Sequence, residues 1–152
     1  MSKRLLAGLM AAIVLGGFTV AGCSKSSRTE TRREETPAVA LPEFAYRTKL
    51  SILGYTFAAT REGGLMAYIP CYCGCGQKRE LYRNLKDCFL HADGTWSAHA
   101  ANCEICLDEA KDVKKMLKDG VAPVEIRDRI DAKYGGRGTP TDTPPIPADF
   151  VL

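Results

Sequence analysis

Six cysteines and one histidine are the residues of this chain whose types and spacing could do chemistry. Three stand in five positions, Cys71-Tyr72-Cys73-Gly74-Cys75. Cys88 follows, and then His99-x-x-x-Cys103-x-x-Cys106. Thiolates are soft ligands and select Cu(I), Zn(II) or iron–sulfur clusters. A single zinc takes four ligands, commonly from paired cysteines. Six thiols and an imidazole exceed that need. The excess favours a multinuclear Cu(I)–thiolate cluster, or one metal site beside one disulfide. The sequence therefore predicts a bound soft metal ion, Cu(I) first and Zn(II) second. Its ligands would be Cys71, Cys73, Cys75, Cys88, Cys103 and Cys106, with His99 as an auxiliary.

Two other uses of the same residues stay open. Six cysteines outside the cytoplasm can form three disulfides, each of the loop trio pairing with one of Cys88, Cys103 and Cys106. The product would be a stapled structural or interaction protein without metal. A third use is thiol–disulfide exchange by Cys103-x-x-Cys106, which is favoured when the attacking cysteine begins a helix. A helix running from Ser97 would put this pair in its interior and weaken that use. No nucleophile–base pair, phosphate loop or motivated pair of carboxylates is present, so sequestration or delivery is expected rather than catalysis.

The compartment follows from the N-terminus. Lys3 and Arg4 precede an uncharged apolar run from Leu5 to Val20, and Val20-Ala21-Gly22-Cys23 matches a bacterial lipobox. The run is short for a membrane span and has the flanks of a signal peptide. Residues 1–22 are expected to be removed and Cys23 to carry acyl chains that hold the protein on the extracytoplasmic side of a membrane. A metal-handling partner protein would fit such a role. Losing Lys3 and Arg4 brings the formal charge from +3 to +1, which gives no reason to expect a nucleic-acid partner.

The elements that must position the donors are helical. Residues 23–40 contain the polar stretch S-K-S-S-R-T-E-T-R-R-E-E-T and are expected to form a flexible tether. Residues 41–134 form the domain. Tyr46, Leu50, Leu53 and Phe57 recur at helical spacing up to about Ala59. Leu65–Ile69 predicts a short helical turn ended by Pro70, and residues 80–86 predict one or two more turns. Asp93-Gly94 signals a turn. Ser97 is an expected N-cap for a long helix to Asp119, stopped by Gly120. On such a helix His99, Cys103 and Cys106 would share a face. Pro123 opens a last helix with Ile126, Ile130 and Tyr134 on one side. An extended Cys71–Cys75 would point its three sulfurs the same way. Gly74 and Gly76 allow close bending, Trp96 is expected to exclude water, and Tyr82 to line the site. His91, before the turn, is expected to be exposed. Residues 135–152, rich in Pro and Gly, are expected to be an extended, loosely packed tail, with docking of Ile146, Phe150 and Val151 on the domain left open. The fold class is mainly α: a small helical domain with an irregular cysteine-rich loop, after a signal peptide and tether.

The ordered set I-P-C-Y-C-G-C-G, K-D-C-F and W-S-A-H-A-A-N-C-E-I-C-L-D-E-A, with the closing I-R-D-R-I-D-A-K-Y, resembles the bacterial lipoproteins named for their PCYCGC motif. The resemblance covers about residues 44–134. It implies the domain extent and lipidation at Cys23, but no activity, because the family has no established function. Members often carry a Gly-His pair before the fourth cysteine; here Tyr82 stands where that histidine falls.

Overall fold

The computed structural model describes residues 39–78 and 81–152. The expected signal peptide, the expected lipidation site Cys23 and nearly all of the expected tether lie outside them. Among the described residues there are three α-helices, several short 3-10 turns, one isolated antiparallel bridge between Leu90 and Trp96, and no strand. No helix among them is long and apolar enough to cross a membrane.

Helix α1 spans Lys49–Ala58. It starts where Thr48, in an extended conformation, accepts the Ser51 N–H through its hydroxyl at 2.9 Å, which satisfies one of the free donors of the first turn. A separate 3-10 turn, Glu43–Arg47, precedes it. The break at Thr48 shifts the register, so Tyr46 is exposed and the buried face is Ser51, Gly54, Tyr55, Phe57 and Ala58. Gly54 is required by packing: a β-carbon there would come within 2.6 Å of the Phe89 ring. A 3-10 turn over Glu62–Tyr68 follows, ending at extended Ile69 before Pro70, as the proline predicts.

Helix α2 spans Glu104–Lys118 and packs against both α1 and α3 (Pro123–Tyr134). Its buried face carries Cys106, Leu107, Glu109, Ala110 and Val113. Gly120 ends it at a φ of 77°, a left-handed conformation that costs glycine little. Helix α3 has proline in its first turn and buries Ile126, Ile130 and Tyr134, the face its spacing predicts.

Three expectations are corrected. The long helix does not begin at Ser97. Residues Ala100–Asn102 form a 3-10 turn, and Cys103 is extended at the N-cap of α2. Ser97 Oγ accepts only the His99 N–H, at 3.3 Å, and does not cap α2. Residues 81–85 are not helical: the Leu81 and Tyr82 N–H groups close a turn on the Lys78 carbonyl, and a 3-10 turn follows at Lys86–Cys88. The latter is held by side chains: Asp87 accepts the Arg83 N–H at 2.9 Å, and Asn84 accepts the Asp87 N–H at 3.0 Å. Finally, the tail is extended but tied down. The Cys71 N–H donates to Thr141 Oγ1 at 2.9 Å, and the Thr141 N–H donates to the Cys71 carbonyl at 3.1 Å. Thr141 is buried. Arg127 donates to the carbonyls of Tyr68, Thr143 and Pro144, clamping the tail to the segment before the cysteine loop.

Candidate metal centre

Four segments bring the donors together. The first is the loop Cys71–Cys75, which is not straight. Gly74 turns it at a φ of 85° into a 3-10 turn over Cys75–Gln77. The bend, rather than the period of an extended chain, gathers its sulfurs: Cys71, Cys73 and Cys75 have their Sγ atoms within 4.8 Å of one another. Gly76 is needed for a second reason. A β-carbon there would lie 2.6 Å from the Pro140 carbonyl, where the tail crosses the loop. Gly138 makes the same kind of approach, to the Tyr72 carbonyl.

The second segment is the 3-10 turn carrying Cys88, whose Sγ lies 3.8 Å from that of Cys75. The third brings His99, whose Nε2 lies 3.3 Å from Cys73 Sγ. The fourth is the start of α2, with Cys103 at its N-cap and Cys106 in its first turn. Cys106 Sγ is 3.6 Å from Cys71 Sγ. His99, Cys103 and Cys106 therefore meet although no single helix carries them. A disulfide needs about 2.0 Å between sulfurs; all six cysteines are free thiols. Two sulfurs on one tetrahedral zinc would be about 3.8 Å apart, from bond lengths near 2.3 Å. The observed separations of 3.6 and 3.8 Å match that spacing and also match sulfur–sulfur van der Waals contact, so these donors could hold a metal ion.

The donors form four overlapping groups. These are Cys73, His99, Cys103 and Cys106; Cys71, Cys73 and Cys75; Cys71, Cys88 and Cys106; and Cys75, Cys88 and His99. Cys71, Cys75, Cys88 and Cys106 are buried, whereas Cys73, His99 and Cys103 are half-buried. The cluster thus has a dry floor and a more open side.

Packing so many thiols together splits their proton affinities. Cys73 is held well below the usual thiol range, because the thiols of Cys103, Cys106, Cys71 and Cys75 hydrogen-bond to it. Its neighbours are pushed up. Cys71 and Cys106 are raised chiefly by their contacts with Cys106 and Cys103 respectively, Cys75 by Cys71, and Cys88 by Cys106, with burial adding to each. His99 is raised to about 9 by Cys73 and then Cys75. Metal binding would require these thiols to lose their protons and would supply the cations that offset the resulting charge.

Outer partners hold the donors. Glu109, fully buried on α2, accepts the Tyr72 N–H at 2.9 Å, between two cysteines of the loop. Its other oxygen, Oε2, has no hydrogen-bond partner. Burial is the main cause of a rise in its pKa to about 8. Sequence reasoning missed Glu109 because it sits in a run of charged residues. The available signal was its spacing, three after Cys106 and four before Val113, on the buried face. Tyr82 lies on the donor set, its ring 4.7 Å from that of His99 and 6.1 Å from that of His91. Trp96 instead packs edge-on to Tyr55 at 5.9 Å and so joins the aromatic core. His91, expected to be exposed, is half-buried and lines a cleft of about 440 Å³ with Leu81, Arg83, Asp87 and Asp93. None of the six cysteines lines that cleft.

The ordered cysteine pattern is matched by one family model, over residues 12–147. The chain belongs to the family described as proteins of unknown function with a PCYCGC motif. The match reaches past the last helix to residue 147, so it takes in Thr141 and Pro140, the residues that cross the cysteine loop. No curated protein and no solved structure matches the chain.

Proposed function

We propose that this protein is a lipid-anchored, extracytoplasmic metal-binding module that sequesters or delivers a soft ion, Cu(I) in preference to Zn(II). The observation that carries the proposal is the convergence of six free thiols and an imidazole within ligand distance, from four separate segments. Ligand softness supports copper. The lipobox at Val20–Cys23 and the apolar run before it support a membrane anchor through Cys23 and a place outside the cytoplasm. The partner in delivery would be another protein presenting soft donors. Nothing in the charge balance favours a nucleic acid.

Thiol–disulfide exchange has one observation in its favour. Cys103 is the N-cap of α2, where the helix dipole favours a thiolate. Against it, hydrogen bonding from Cys106 is outweighed by the nearby Cys73 and by burial, and the Cys103 thiol is pushed up to about 11. The depressed thiol is Cys73, outside the Cys103-x-x-Cys106 pair. Anaerobic titration of the reduced full chain with Cu(I), against a colorimetric Cu(I) chelator, tests the proposal. Copper held against the chelator supports it. Loss of all copper to the chelator, together with turnover of a small disulfide substrate, would favour exchange chemistry instead.

A further inference from the structure

The four donor groups share members in a regular pattern. Every pair of groups shares one donor. The first group shares Cys73 with the second, Cys106 with the third and His99 with the fourth. The second shares Cys71 with the third and Cys75 with the fourth, and the third and fourth share Cys88. Cys103 alone belongs to a single group. Four groups joined pairwise by shared donors have the connectivity of a tetrahedral cage, with a group at each corner and a shared donor on each edge, a thiol on five edges and His99 on the sixth.

From this we infer that the site holds four Cu(I) ions as one thiolate-bridged cluster, each ion three-coordinate. The inference rests on the soft-metal reading above and sets its nuclearity. An imidazole nitrogen has one lone pair and binds one ion, so His99 cannot bridge. It completes the corner that already has Cys75 and Cys88. Cys103 then completes the corner that has Cys73 and Cys106. The other five thiolates each serve two corners. Five bridging thiolates, with Cys103 and His99 used once each, give three donors to each of the four groups. No donor is left over and no corner is short.

Cu(I), a closed-shell soft ion, accepts three thiolate-type donors readily, and thiolates bridge it well. Zn(II) in structural sites takes four ligands. Only one group here offers four: Cys73, His99, Cys103 and Cys106. The same donors are therefore a four-ion site for copper and a one-ion site for zinc. Six thiolates and four monovalent ions leave two negative charges on the cluster. The N-terminus of α2, with Cys103 at its cap and Cys106 in its first turn, provides the positive end of a helix dipole beside them.

The test is stoichiometry. The reduced full chain is loaded anaerobically with Cu(I) or with Zn(II) and passed over a desalting column, and metal per chain is measured by elemental analysis and native mass spectrometry. Four Cu(I) and one Zn(II) are expected. Cys88→Ser removes a bridge and a donor from two corners, and should lower bound copper by two or more. Cys103→Ser touches one corner and should lower it by one at most. Saturation of the unsubstituted chain at a single Cu(I) would overturn the four-ion cluster and leave soft-metal binding standing. Retention of no copper would overturn both. Equal losses in the two variants, or more than one tightly held zinc, would overturn the assignment of donors to corners.

Discussion

Two buried regions flank the start of α2, and they differ in how their polar groups are satisfied. Around Tyr55 the rings of Phe44, Phe89 and Trp96 pack edge-on at 5.1–5.9 Å. The one polar atom of Tyr55 is fully used: its hydroxyl donates to the Ser97 carbonyl at 2.6 Å and accepts the Ala101 N–H at 3.1 Å. On the other side, Cys71, Cys88 and Cys106 are as deeply buried as Tyr55; Cys71 and Cys106 contact each other, Cys88 contacts Cys75 and the Asn84 carbonyl, and Glu109 keeps an oxygen without a partner. In the aromatic region the Tyr55 hydroxyl is satisfied, and the unpartnered polar atom nearby is Ser51 Oγ, one turn earlier on α1. The sulfur region offers grouped donors that could hold cations. Burial alone does not distinguish a core from a site; the state of the buried polar atoms does.

The largest test of that contrast removes one residue from each side. Tyr55→Ala should cost about 3–5 kcal/mol in denaturant unfolding, equally with and without copper. Cys106→Ala should cost about 1–2 kcal/mol in the metal-free reduced chain, and should abolish most of the stabilisation that copper adds. That stabilisation is about 4 kcal/mol when free ion exceeds its dissociation constant a thousandfold. Equal copper-dependent stabilisation in the two variants would erase the distinction.

A second test uses pH. The Glu109 carboxyl has a folded-state pKa of about 8, raised from 4.5 mainly by burial. The folded form therefore holds this proton more tightly than the unfolded form. The contribution to stability is fully present below pH 4.5 and is lost as pH rises through 8. Glu109→Gln keeps an acceptor for the Tyr72 N–H and carries no charge. In the metal-free reduced chain it should be more stable than the unsubstituted protein at pH 9, by an amount of the order of a few kcal/mol. The advantage should shrink to nothing near pH 4.5. A constant difference across that range would mean that the carboxylate is solvated.

The smallest expected effect concerns the strap over the cysteine loop. Thr141→Val removes the acceptor of the Cys71 N–H while keeping the shape, and should cost about 1–2 kcal/mol. It should also speed copper loss to a chelator several-fold, because the loop geometry is no longer pinned.

Much of this arrangement was legible in the sequence. Helix α3 and its buried face followed from Pro123 and the spacing of Ile126, Ile130 and Tyr134. The seven donors were recognisable by type. What local patterning could not give was their route to one another. The H-A-A-N stretch before Cys103 has nothing in its side chains that forbids helix, and the break there is made by tertiary packing: Tyr55 takes the Ala101 N–H. The tail is bound by residues seventy positions apart, Cys71 and Thr141, so its proline and glycine content suggested looseness where contact exists. Gly76 was legible as a residue allowing close bending, and the structure uses it for close approach of the Pro140 backbone; Gly138, which no local pattern singles out, makes a similar approach to the Tyr72 carbonyl.

Whether these sulfurs share metal ions is decided by elemental analysis of the full chain, purified anaerobically from copper-supplemented cells, beside a count of alkylatable thiols before and after chelation. More than one copper per chain is expected, with Cys71, Cys73, Cys75, Cys88, Cys103 and Cys106 protected until the metal is stripped and reactive afterwards. A chain with no bound metal, whose six thiols stay unreactive until a disulfide reductant is added, would contradict it.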